Sequence, residues 1–533
     1  MLSKIKEFKL EIIFVLIFVL TRLPDLGHDV FNTDVWKWKA RSYDFSTGVF
    51  TLDFEKTIQK YHPGVTLMWI GTAAIKVYNF AAGLLPPMDN TEMIFGLHFV
   101  QKLFVVKVIA IALAFSLYVL RKLFGQDKAL LLATVLIFEP FYIALTRVFH
   151  LEGLMSTFML ASFLWLYYYT LEKKKKSRLI ISAFFAGLAF LTKTSALFMF
   201  PYAGLILLIE GACERNIKKV YLKRMLLWVG VFLGVFVLIW PAMWALPGKA
   251  LAALYRGVSE IGIEREHVQF YFGKLVEDPG PFYYFVVLGL RSSLLLLGGL
   301  SGLAIFWKKV FSGNNRKFLF HSLLFVLFYL IQLSIPSKKL DRYILPDIMV
   351  LSLLSTFFWI WAVEKIKSAA GCVKYIPLLM AAVLPAFYLH PDYFSYYNPA
   401  LGGLSKGINI LEPKWMIGGR EVVNYFADKM EKDNFAPIFG NTSLEEVMSD
   451  NGIKVMTVGF PEKYYTQIHP FFREIGAFAV IQDLTPFAVK TKYFVYPVWD
   501  DTSVNEDRFG LEYEDSIYLR GVEVYKVYKR VSL

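Results

Sequence analysis

Residues 32–71 read NTDVWKWKARSYDFSTGVFTLDFEKTIQKYHPGVTLMWIG. The stretch follows a strongly apolar segment and is far more polar than its neighbours. If DVWKWKARSYDF is helical, Asp34, Trp38 and Arg41 fall at i, i+4 and i+7, on one face. A carboxylate, an aromatic plane and a fixed cation then share one surface beside a membrane. That surface fits an interfacial amphipathic helix with solvated charges. It also fits a site for a polar substrate with an anionic leaving group. The rest of the chain bears on the choice.

Of the 533 residues, 56% are hydrophobic and 17% aromatic, and the mean hydropathy is +0.47. Soluble domains average about 45–50% apolar. The excess here sits in blocks of about 20 residues, long enough to cross a bilayer as helices. The expected class is a polytopic α-helical membrane protein. The formal charge of +13 does not point to nucleic acid, because its Lys and Arg sit mostly in short runs between apolar blocks. There they act as topology signals. Cys213 and Cys372 suggest neither a disulfide framework nor a metal site. The N-terminus, MLSKIKEFKLEIIFVLIFVL, is basic then apolar without a small-residue cleavage site, so a retained first helix is expected.

Spans are expected near 10–24, 94–120, 129–146, 153–171, 179–194, 195–210, 225–246, 281–306, 318–334, 343–363 and 375–390. The pair 179–210 reads as two short spans meeting near Lys193 or as a re-entrant element. Residues 66–85 are long enough to span, but the following PPMDNTE has two acids and no Lys or Arg. They are expected at the outer interface, within a long first external loop (25–93). Basic connections recur on one side: Arg121/Lys122/Lys128, Lys173–Lys176, Lys218/Lys219, Lys308/Lys309 and Lys365/Lys367. The pattern gives about eleven spans, with the N-terminus inside and the C-terminus outside the cytoplasmic membrane.

Residues 1–390 thus form a membrane domain and 391–533 an extracytoplasmic α/β domain. Strands are expected at APIFG, KVMTVG, AFAVIQ, KYFVYPV and VEVYKVYK, and a helix at GGREVVNYFADKMEK.

Ionisable residues beside or within spans are costly and hence functional candidates. Arg147, His150 and Glu152 lie in TRVFHLEG, Lys193 in GLAFLTKTS, and Arg291 in VVLGLRSSLLLL. His267 lies in EREHVQFYFG, and Lys338, Lys339 and Arg342 in PSKKLDRYILP. Most would converge on the outer leaflet. Cations dominate, with Asp34 and Glu152 as acids, which suits a phosphate headgroup attacked next to a base.

Taken in order, these motifs resemble the GT-C membrane glycosyltransferases, in particular glycosyltransferase family 39, which includes protein O-mannosyltransferases and aminoarabinose transferases. The resemblance rests on Asp34 in the first external loop, YHPGVTLMWIG, TRVFHLEGLMSTFML, GLAFLTKTSALFMFP, DPGPFYYFVVLGLRSS and KKLDRYILP, with HPDYFSYYNPALGG closing the membrane part. It implies that Asp34 is the catalytic base and Glu152 the second acid. It implies that Lys193, His267, Arg291 and Arg342 hold a lipid phosphate or brace the loop. Trp38, Arg41, His62, Arg147, His150 and Lys338 complete the candidate substrate site. Many relatives carry a second acid directly after the aspartate; here that position is Val35, which weakens a paired-acid or metal-binding version. No cofactor is firmly implied, and nothing in the sequence supports a divalent metal.

The expected function is transfer of a sugar from a polyprenyl-phosphate donor to an acceptor hydroxyl at the outer face, with inversion. The acceptor is not specified. The bilayer is a partner and nucleic acid is not. The alternative is a non-enzymatic flippase for lipid-linked saccharides. A transporter should place its ionisable residues near the midplane of two related halves, and no halves are evident.

Overall fold

The computed structural model describes residues 7–59, 62–84, 88–171, 175–212, 217–261, 268–313, 315–366, 371–441, 455–482, 491–499 and 510–531. The main helices of the membrane part are α1 (Lys9–Leu20), α2 (Val35–Phe50), α3 (Val65–Ala82), α4 (Asn90–Phe124), α5 (Gln126–Ile137), α6 (Pro140–Thr146), α7 (Leu151–Thr170) and α8 (Lys176–Thr192). They continue with α9 (Met199–Ala212), α10 (Ile217–Ile239), α11 (Pro247–Arg256), α12 (Tyr283–Arg291), α13 (Leu294–Val310), α14 (Asn315–Ser334), α15 (Leu345–Glu364) and α16 (Ile376–Leu389). Among the described residues six helices are long and apolar enough to cross a membrane, or up to eight if each of two bent pairs is one span. Each span expected from the sequence corresponds to a helix or a bent pair; α1, α7, α8 and α16 are shorter or more polar than that measure. The chain is a multi-pass membrane protein.

Helix α7 is the central post. Every residue from Leu151 to Thr170 except Tyr168 is buried. It packs against α4, α8 and α15, so its first turn is fixed from several sides. That turn carries Glu152.

Two expected spans are bent rather than straight. Helices α5 and α6 meet at 71°, where Pro140 opens α6. Helices α12 and α13 meet at 117°. Arg291 is therefore not inside a continuous span, as the sequence suggested; it ends a nine-residue helix at the break. The breaks are tied together. Glu139 accepts from the Ser293 backbone N–H at 2.7 Å and from its hydroxyl at 2.6 Å. The freed backbone groups find partners inside the protein, as a lipid environment demands. The stretch 179–210 is two helices joined at Lys193, whose backbone is extended.

Helix α3 is tied to the ends of several neighbours. Near its start, Thr66 bonds Thr192 at 2.6 Å and Trp69 donates to the Ile239 carbonyl at 2.8 Å. Thr192 and Ile239 are the last residues of α8 and α10. Further along α3, Tyr78 packs so closely on Gly96, early in α4, that a Cβ there would sit 2.9 Å from its ring. By the alternation of basic loops these three helix ends all lie opposite the basic side. Helix α3 is itself one of the six helices long and apolar enough to cross a membrane, whereas PPMDNTE suggested a place at the outer interface.

A hairpin of β1 (Gln269–Tyr271) and β2 (Lys274–Val276) precedes α12. The C-terminal region contains α17 (Gly419–Lys432) and α18 (Glu462–Glu474) with strands β3 (Thr457–Phe460), β4 (Phe478–Ile481), β5 (Tyr493–Pro497), β6 (Leu511–Leu519) and β7 (Val522–Arg530). The sheet order is β4-β3-β5-β7-β6, parallel over the first three and antiparallel at β5–β7 and β7–β6. Phe426 of α17 and Phe472 of α18 meet in its core. APIFG forms no strand; it is a connection that packs on Gly476, where the Ile438 N–H donates to the Gly476 carbonyl at 2.9 Å. Strand β6, LEYEDSIYL, was not anticipated. It is an edge strand with mixed exposure, so its residues lack the apolar run that marks the others.

Candidate active site

Asp34 sits at the N-cap of α2, and its N–H is held by the Asn32 side chain at 3.1 Å. The expected helical face forms: Trp38 is buried one turn on, and the Arg41 guanidinium lies 4.8 Å from the Trp38 ring centre. Trp38 packs on the loop His62-Pro63-Gly64. Gly64 is left-handed, with φ of 60°, and a Cβ there would come within 2.3 Å of Trp38. Gly64→Ala is therefore expected to destabilise the protein by roughly 2–4 kcal/mol, from overpacking and a left-handed alanine. Thermal unfolding in detergent would show it as a lowered midpoint; an unchanged midpoint would contradict the packing described.

The same loop is anchored beside Lys193. The Gly64 N–H donates to the Thr192 carbonyl at 3.2 Å, and His62 Nδ1 lies 3.3 Å from Thr194 Oγ1. Burial and the nearby Lys193 lower His62 to about 3, so it is a neutral ring.

Glu152 is the hub. Lys193 Nζ donates to Glu152 Oε1 at 2.9 Å, Arg342 Nε donates to the same oxygen at 3.2 Å, and His150 Nδ1 touches Oε2. His150 Nε2 then reaches Asp34 Oδ2 at 3.4 Å, and Arg342 Nη2 lies 3.8 Å from that oxygen. Histidine and guanidinium thus link the two acids, which lie far apart in sequence. Burial alone would raise Asp34. The hydrogen bond to His150 and the charges of His150, Arg342 and Lys37 outweigh it and hold the carboxyl well below the usual carboxylate range. Burial opposes charge on His150, but Glu152 and Asp34 keep its pKa above the ordinary value.

These groups surround a cavity of about 590 Å³. Asp34, Trp38, Arg41, His62, His150, Glu152, Lys193, Lys338 and Arg342 all line it. Arg147 and Arg291 do not. Arg147 is 1% exposed and donates to Asp29 at 3.0 Å and to the carbonyls of Arg22 and Pro24, both at 2.6 Å. It ties the start of the first loop to the helix bundle. Arg291 is also 1% exposed and pairs with Asp341 at 3.0 Å. It donates to the carbonyls of Phe394 and Tyr396 and to the Tyr397 hydroxyl. An all-protein set of partners satisfies each guanidinium. His267 lies outside the described residues. Lys339 pairs with Asp278 at 2.6 Å.

The cavity also has walls that sequence reasoning missed. Lys414 comes from the segment entering the C-terminal region, and Glu462, Lys463 and Thr466 from α18. Trp415, next to Lys414, stands edge-on to His150 with ring centres 5.2 Å apart, and Arg342 lies 5.5 Å from its ring centre. Among the described residues no three His, Cys, Asp or Glu side chains converge as a metal site.

Residues 91–244 match the family dolichyl-phosphate-mannose-protein mannosyltransferase. The match covers α4 through α10 and includes His150, Glu152 and Lys193. The match lies wholly within the membrane part. The chain is also similar to the crystal structure of ArnT from Cupriavidus metallidurans bound to undecaprenyl phosphate, at 13% identity over 98% of each chain with a TM-score of 0.48. The apo state of that protein aligns at 13% identity over 98% of each chain, TM-score 0.46. The oligosaccharyltransferase of Archaeoglobus fulgidus aligns at 11% identity over 91% of this chain and 68% of its own, TM-score 0.39. No curated protein matches in sequence. The match over residues 91–244 agrees with the GT-C glycosyltransferase resemblance read from the motifs.

Proposed function

We propose that this glycosyltransferase moves a sugar from a polyprenyl-phosphate donor to an acceptor hydroxyl at the outer face of the cytoplasmic membrane. One observation carries the donor assignment. Arg342 lines the cavity and is 7% exposed, yet its Nη1 has no hydrogen-bond partner among the described residues. A buried guanidinium at a cavity wall, with one donor unpaired inside the protein, suits a phosphate oxygen. The matched family is itself named for a sugar carried on a lipid phosphate.

In this reading Asp34 accepts the acceptor hydroxyl's proton as that oxygen attacks the anomeric carbon. The bond from that carbon to the phosphate oxygen breaks, and Arg342 with Lys193 and Lys338 stabilises the departing phosphate. So weakly basic a carboxylate takes the proton late, once the attacking oxygen has begun to bond and become acidic. Glu152 is engaged by three donors and is not free to attack carbon. A single displacement with inversion follows. Trp38, Arg41, His62 and His150 shape the sugar pocket; Arg147 and Arg291 brace the loops around it. Residues 391–533 stand outside with the cavity.

The test uses purified protein with a labelled polyprenyl monophosphate sugar, a labelled nucleotide sugar and an acceptor-bearing membrane extract. Label should leave the lipid donor only. Arg342→Ala should weaken donor binding at least about tenfold, and Arg342→Lys should restore part of it, because Lys lacks the planar fork. Transfer from the nucleotide sugar without a lipid intermediate would overturn the donor assignment. Passage of intact lipid-linked sugar across liposomes would favour the carrier.

A further inference from the structure

The C-terminal region brings cations to a cavity that already has enough for a donor. Seven Lys and Arg side chains line the cavity against three carboxylates. Lys193 and Arg342 belong to the membrane part and share Glu152. Lys37 lies 3.8 Å from Asp34. A sugar-bearing lipid phosphodiester brings one negative charge, which those groups can meet.

Lys414 and Lys463 stand on the other wall. Lys463 pairs with Glu412 at 2.7 Å. Lys414 is half-buried and has no ion-pair partner among the described residues. Burial and the neighbouring Lys463 lower its pKa to about 8. Glu412 and Asp341 favour its charge but do not outweigh this, so a further anion in the cavity would complete the set. The neighbours of Lys414 hold it in place. The next residue, Trp415, is 1% exposed and packs between Phe394, His150 and Arg342. The Met416 N–H is held by Gln467 of α18 at 2.8 Å. Lys414 is thus delivered to the cavity by a rigid segment, not by a solvated loop.

From this we infer that Lys414, with Lys463 beside it, is an acceptor-side anion subsite, so the acceptor carries a phosphate or carboxylate close to the hydroxyl that is glycosylated. The inference rests on the transfer reading above and gives the C-terminal region a role: it forms the half of the site that selects the acceptor.

The experiment reads binding without turnover. Full-length protein in detergent, pre-saturated with polyprenyl phosphate to fill the donor side, is treated with an amine-acetylating reagent near pH 8. Acetylation at Lys414 is followed by mass spectrometry with glucose 6-phosphate, glucuronate or glucose present. Glucose 6-phosphate or glucuronate should protect Lys414, and glucose should not. Lys414→Gln should weaken binding of the protecting sugar about tenfold, and Lys414→Arg should largely keep it. Equal protection by glucose, no protection by either anion, or unaltered binding in Lys414→Gln would overturn the subsite. Failure of the transfer reading would look different: no donor would be consumed, while the protection pattern stayed intact.

Discussion

Asp34→Asn is expected to lower turnover at least about 100-fold, the low end for loss of a general base, with donor binding largely retained. Asparagine keeps the shape and the Asn32 contact to the backbone N–H, so the change isolates proton acceptance. The pH dependence has a defined sign. Asp34 is held below the usual carboxylate range, so it stays ionised as pH falls through about 4. Loss of activity above that pH must come from another group, and His150 is the one in contact. The same depression makes Asp34 stabilising above its unfolded pKa, a contribution lost as pH falls through the folded value. Turnover and donor binding, measured from pH 5 to 8 on both forms, check this. An Asn variant that transfers sugar at near wild-type rate would remove Asp34 from the mechanism.

Glu152→Gln should have the largest effect on stability. Glu152 is 1% exposed and faces Lys193, Arg342 and His150 together. Removing its charge leaves buried cations without their counter-ion, a loss of about 3–5 kcal/mol. The contact is local, so the loss should be non-additive: Lys193→Met placed on top should cost less than it does alone. Unfolding midpoints of the two single variants and the double variant decide this. A Glu152→Gln protein within about 1 kcal/mol of wild type would mean that the cluster is held by something other than charge.

The site was legible where charge stood in an apolar context. Glu152, Lys193 and Arg342 are marked by apolar neighbours, and Asp34, Trp38 and Arg41 by helical spacing; the structure gathers all six around one cavity. Arg147 and Arg291 carry the same mark but serve structure. Their partners, Asp29 and Asp341, lie 118 and 50 residues away, and sequence offered no means of pairing them. Lys193, Arg291 and Arg342 all have acidic partners in the structure. Glu152 serves two of them and Asp341 the third. Lys414 and Lys463 went unseen because a lysine in a polar domain is solvated by default. Glu139 was visible in principle, as a lone acid in ATVLIFEPFYIAL, a place where lipid tolerates none without a partner.

The bend between α12 and α13 has a consequence for how the chain is made. At the bend, the Ser293 N–H relies on Glu139, 154 residues earlier, and the Ser292 carbonyl on Tyr396 and Asn398, 104 and 106 residues later. Facing lipid, each of those groups would cost several kcal/mol. As this segment emerges during synthesis, only the first of its two supports exists. The segment therefore cannot reach its final shape as an independent guest of the bilayer. It must stay shielded, or straight, until residue 398 has been made and has folded back onto it. The linker after α16 is thus the latch that completes the membrane half, and a chain truncated just before it would be open to quality-control proteolysis.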